Sequence, residues 1–148
     1  MADAVDTLRK AFEESERVIA GITPEDLSKS TPCSDWDLRA LLNHTVGAVT
    51  LFAVSASGQS IEGFDSNAER IGDDPLGAFQ QASAAALQAW GGEGVLEGMV
   101  TLPPGQMPGA VGININLFDT YVHAWDIAQA TGQAFSLAPE LARWPLTP

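Results

Sequence analysis

The chain has 148 residues, 45% of them hydrophobic, which is the size and apolar content of a single globular domain spanning 1–148. Its 19 acidic and 7 basic side chains give a formal net charge of -12, which opposes binding to nucleic acid or to anionic membrane surfaces, although such an excess also serves solubility alone. The apolar runs fall short of a membrane span, the acidic N-terminus lacks the order of a secretion signal, and Cys33 as the only cysteine rules out an internal disulfide, so a cytoplasmic location is expected.

From Asp3 to Ala20, Val5, Leu8, Ala11, Phe12, Val18 and Ile19 recur at helical spacing, and Gly21 closes an amphipathic helix. Thr23-Pro24-Glu25-Asp26 opens a short helical turn. Ser34 or Asp35 then caps a second helix, with Leu38, Leu41, Leu42, Thr45, Val49, Phe52 and Ala53 on its core side and His44 beside that stripe. Between Gly58 and Asp74 the periodicity fails, leaving Ile61, Phe64 and Ile71 as anchors of a long crossover. Asp74-Pro75 starts a third helix that carries Leu76, Phe79, Ser83, Ala86, Leu87 and Trp90 and ends at Gly91-Gly92. A tract from Val95 to Leu102 before Pro103-Pro104-Gly105 reads as a small hairpin or an extended loop. The last long helix is expected from near Ile113 to Thr131, with Leu117, Phe118, Tyr121, Val122, Trp125 and Ala128 as its apolar surface. The tail holds at most a short helix around Pro139 to Trp144. The expected fold is therefore all-α, a four-helix bundle with a long crossover after helix two and a small irregular or hairpin segment before the last helix.

Only two histidines occur, His44 and His123, and Asp119, His123 and Asp126 follow i, i+4, i+7 on the last helix. Read blandly, that stripe is a solvent face with one weak helical pair. Read chemically, His44, Asp119 and His123 supply two imidazole nitrogens and one carboxylate, a donor set for Zn and also for Ni or Fe(II). Three protein ligands leave positions open for water or substrate. Asp126 is the candidate catalytic residue, assisting from behind the ligands, and Asp37 is a poorer one that suits a cap. Cys33 precedes a helix start, where its thiol would be acidified, but a buried inert thiol is the simpler reading. Trp36, Trp90 and Trp125 read as packing residues, and Trp144 as packing back or joining a dimer contact. The glycine-rich stretch before the last helix fits neither a P-loop nor a dinucleotide fingerprint.

Thr31-Pro32-Cys33-Ser34-Asp35-Trp36-Asp37-Leu38-Arg39-Ala40-Leu41-Leu42-Asn43-His44 and Asp119-Thr-Tyr-Val-His123-Ala-Trp-Asp126-Ile-Ala-Gln-Ala-Thr-Gly132 together resemble the DinB-like superfamily. They look most like the mycothiol-dependent maleylpyruvate isomerase N-terminal, metal-binding type of actinobacteria. The resemblance implies a DinB-like bundle that holds one divalent metal through a histidine of helix two and two residues of the last helix, here His44, Asp119 and His123. It also implies mycothiol as a cosubstrate whose sulfur binds the metal as thiolate, with an electrophile as the second small-molecule partner. Asp119 stands where many members have Glu or His, and the isomerase's second domain has no room in this length, which speaks against the isomerase reaction itself. The tail ends early for the family, leaving a cavity wall that the partner in a homodimer would fill. Two readings stay open: a metal-dependent mycothiol S-transferase or isomerase, or a non-catalytic metal- or ligand-binding bundle acting as a stress-related or structural dimer.

Overall fold

Three of the four described helices begin where a short acidic side chain satisfies their first free amides. In the computed structural model, which describes residues 3–33 and 35–135, Asp3 caps α1 (Ala4–Ala20), Asp37 caps α2 (Leu38–Ala56) and Asp74 caps α3 (Pro75–Trp90). A 3₁₀ turn at Pro24–Ser28 carries a capping box between Thr23 and Asp26. Strands β1 (Met99–Leu102) and β2 (Gly105–Pro108) form an antiparallel hairpin in which Leu102 faces Gly105 across the Pro103-Pro104 turn. Helix α4 (Gly109–Thr131) ends at Gly132, whose φ of 70° is the left-handed conformation that closes a helix. The helices touch in a ring, α1 against α3 and α4, and α2 against α3 and α4, around a core that includes Leu8, Phe12, Leu41, Phe79, Trp90 and Ile127.

Four sequence expectations need correction. The cap of α2 is Asp37, which accepts from the Ala40 amide, because Lys29 accepts from the Leu38 amide and holds the preceding loop closed up to that point. Helix α4 starts at Gly109, four residues early, because β2 runs straight into it. Its facing is also rotated in part: Leu117, Tyr121 and Ala128 are buried as expected, but Phe118, Val122 and Trp125 are exposed, while Asn116, Thr120, His123 and Asp126 are buried. Helix α2, moreover, is long and apolar enough to cross a membrane by length and composition, with a mean hydropathy of 1.2, contrary to the reading from uninterrupted runs. With 67% of that window buried inside the protein, it is the core helix. The short helix expected around Trp144 lies outside the described residues.

The crossover from Ser57 to Asp74 is strapped onto α2. Asn43, buried in α2, accepts from the Arg70 and Ile71 amides and donates to Glu69, while the Arg70 guanidinium lies 4.8 Å over the Phe64 ring. Gly47 lets the strap sit this close, since a Cβ there would run into the Ser66 carbonyl. Gly47→Ala should therefore lower stability by about 1–3 kcal/mol through overpacking, outweighing the gain of about 1 kcal/mol that alanine brings to a helix. Thermal melting checks this: a fall of several degrees is expected, and an unchanged or raised midpoint would contradict the packing argument.

Candidate functional site

His123 is the centre of the site. It lies on α4, 9% exposed, with its Nε2 3.2 Å from Asp119 Oδ1 and its Nδ1 3.6 Å from Asp126 Oδ2. The helical spacing i, i+4 and i, i+3 places the two carboxylates at opposite edges of one ring. Burial disfavours charge on His123, but the hydrogen bond and charge of Asp119, followed by the nearby charge of Asp126, outweigh it and raise its pKa. Nδ1 has no hydrogen-bond partner within reach, so this edge is close to Asp126 but not bonded to it.

His44 comes from α2, and its ring centre stands 5.0 Å from that of His123 with the planes nearly perpendicular. Its Nδ1 is 2.7 Å from Asn67 Oδ1 on the strap. A carbonyl oxygen only accepts, so Nδ1 carries the proton and Nε2 keeps a free lone pair. Trp36 covers the other side of His44 at 4.6 Å between ring centres. The loop holding Trp36 is tied by Thr31, whose hydroxyl bonds the Cys33 and Trp36 carbonyl oxygens and accepts from the Cys33 amide. The same loop aims Cys33 at Asp126, with Sγ 3.7 Å from Oδ2. Burial, and then the Asp126 charge, push the Cys33 thiol up, so it is a donor here and not a thiolate.

The structure thus brings His44, Asp119, His123 and Asp126 to one place. Two ligands of one zinc ion, each about 2.0–2.2 Å from it, stand about 3–3.5 Å apart, and the Asp119–His123 separation of 3.2 Å fits that requirement. Among the described residues no three such side chains close around a single point, so His44 is adjacent to the pair and not converged with it. The chemistry of the donors fits a divalent ion nonetheless: a carboxylate, a buried imidazole with an orphaned far nitrogen, and a second imidazole whose far nitrogen is already held. Sequence reasoning missed Asn67 and Asn43, since asparagine in an irregular segment reads as turn chemistry, and it took Trp36 for core packing.

Beside the pair opens a cleft of about 250 Å³, with His44 and Asp119 at one end. A larger hollow of about 460 Å³, bordered by Ile19, Thr23, Arg39 and Pro75, contains none of the candidate residues. The smaller cleft is the one that adjoins His44 and Asp119.

Residues 8–128 match the family of the mycothiol maleylpyruvate isomerase N-terminal domain. The chain belongs to that family. Two uncharacterized Mycobacterium tuberculosis proteins, from the CDC 1551 and H37Rv strains, are each 32% identical over 137 residues, covering 90% of this chain and 70% of theirs. The crystal structure of the mycothiol-dependent maleylpyruvate isomerase superposes with a TM-score of 0.65 at 15% identity, over 84% of this chain and 59% of that one. A histidine-to-alanine mutant of the same isomerase gives 0.64 at 14% identity. At that identity the likeness is one of fold, and the DinB-like helical architecture expected from the two motifs is the one observed. The chain spans 59% of the isomerase's length.

For this family member without metal, the raised His123 pKa fixes a pH dependence. A group whose folded pKa exceeds the unfolded value, about 6.5 for histidine, contributes stability in full below that value and loses it as pH rises through the folded pKa. Melting of chelator-treated protein should therefore fall from pH about 6 towards pH about 8, and Asp119→Asn should flatten the slope. A parent midpoint that rises over this window would refute the charge pairing.

Proposed function

We propose that the protein binds one divalent metal through His44, Asp119 and His123 and uses it with a low-molecular-weight thiol of the mycothiol class. The observation that carries this reading is the pairing of donors with their outer partners: Asn67 on the far nitrogen of His44, and Asp126 facing the far nitrogen of His123. A divalent ion there supplies Lewis acidity and lowers the proton affinity of a coordinated thiol. Zinc suits the donors best, with nickel or iron(II) next. Asn67 acts by fixing the orientation and tautomer of His44, Asp126 places a negative charge beside Nδ1 of His123, and Trp36 shields His44 from water. The reaction is S-transfer to an electrophile or isomerisation through a thiol adduct, in the cytoplasm.

A binder without turnover is the second reading, favoured by Asp126 lying 6% exposed behind His123, where it reaches that ring before any substrate. Metal analysis of untagged protein tests the foundation of both: near-stoichiometric metal is expected in the parent, with loss in His44→Ala and Asp119→Ala, and full occupancy in both variants would sink the site. Asn67→Ala should weaken metal affinity about 10–100-fold while leaving the helices folded. Incubating metal-loaded protein with mycothiol and electrophiles separates enzyme from binder, since turnover lost in His123→Ala supports the former.

The reading includes a homodimer, supported by Val111, Phe118, Val122 and Trp125, which lie exposed along one face of α4. Sedimentation should show twice the chain mass for the parent and a shift towards monomer for Trp125→Glu; a monomeric parent ends this part of the proposal.

A further inference from the structure

The cleft beside Asp119 is mostly apolar. His44, Asp119 and Ser66 are its polar lining residues; the others are Ala48, Leu51 and Phe52 of α2, Leu102, Pro103 and Pro104 of the hairpin, and Ile115 of α4. No lysine or arginine lines it. We propose that this cleft selects a small, uncharged, apolar electrophile or ligand and rejects carboxylate-bearing ones.

The proposal rests on the reading of a metal-and-thiol site for its chemistry, but the selectivity comes from the walls. Burying apolar surface against these side chains gains roughly 25 cal/mol per Å², whereas a carboxylate placed there loses its hydration with no cation to replace it. The Asp119 carboxylate at the head of the cleft and the overall charge of -12 add repulsion. The two prolines of the turn also present rigid rings with no backbone N–H to donate to an anion. At about 250 Å³ the space suits a compact molecule below ordinary drug size.

Diethyl maleate and maleate share one carbon skeleton and differ in charge, so they make the test. In metal-free ¹⁵N-labelled protein, diethyl maleate should shift the amides of Ala48, Leu51, Leu102 and Ile115 and bind at least tenfold more tightly than maleate. Ile115 is 39% exposed, so Ile115→Lys is tolerated by the fold and should narrow that preference at least tenfold. Maleate binding as well as the ester, or neither ligand shifting these amides, overturns the proposal. The parent comparison decides the matter even if the variant misfolds. Should metal and mycothiol fail to bind while the ester still maps to these residues, the metal-and-thiol reading fails and the selectivity stands; if metal and thiol bind but maleate is preferred, the reverse holds.

Discussion

Burying an imidazole between two carboxylates is the constraint that the other features of this site serve. A buried polar group costs about 1–3 kcal/mol when unpaired, and His123 is kept off solvent with one nitrogen close to Asp119 and the other only near Asp126. Both acids sit on the same helix as the histidine, so α4 alone fixes that three-group arrangement. What α4 cannot do is shield it. Shielding comes from α2, which brings His44, and from the loop before α2, whose Trp36 and Cys33 close on His44 and Asp126. Separate parts of the chain must therefore dock correctly before the site exists, and each docking is secured by a polar bond: Thr31 for the loop, Asn43 and Asn67 for the strap.

This dependence explains which parts of the fold were legible in the sequence. The four helices, their glycine stops and the Asp74-Pro75 start follow from local rules that no partner overrides. That His44, Asp119 and His123 lie near one another was legible because histidine is scarce here and the motifs flanking it are specific. The rotation of α4 was not, and the reason is physical. Periodicity identifies two faces on a helix but assigns the apolar one to the core by default. On α4 the inward face carries Asn116, Thr120, His123 and Asp126, because the site lies inside, and Phe118, Val122 and Trp125 are turned out in consequence. Ile113, Leu117 and Ile127 are buried beside that stripe, so polar and apolar residues share the inward face and periodicity alone does not separate them.

Asn67 and Cys33 were illegible for a different reason: their partners are 23 and 93 residues away. Nothing local in Asp65-Ser66-Asn67 distinguishes an asparagine that orients a histidine from one that makes a turn, and indeed the Asn67 amide does bond Asp65 in turn fashion. Its backbone obeys the local rule, and its side chain carries the long-range one. Cys33 likewise reads as a small buried apolar residue by composition, yet its sulfur reaches a carboxylate that also contacts His123.

The hairpin links these observations to the character of the cleft. Val100 and Leu102 point inward against α4, where Gly112 allows close approach because a Cβ there would crowd Val100 and Trp90. Ser55 of α2 donates to the Thr101 carbonyl and holds the strand from the other side. The Pro103-Pro104 turn is thus pinned to both helices that supply the candidate ligands, and the wall it forms stands at a fixed distance from Asp119. Pinned in this way, the hairpin keeps Leu102, Pro103 and Pro104 in the wall of the cleft, so its apolar character is set by the same contacts that hold the hairpin in the fold.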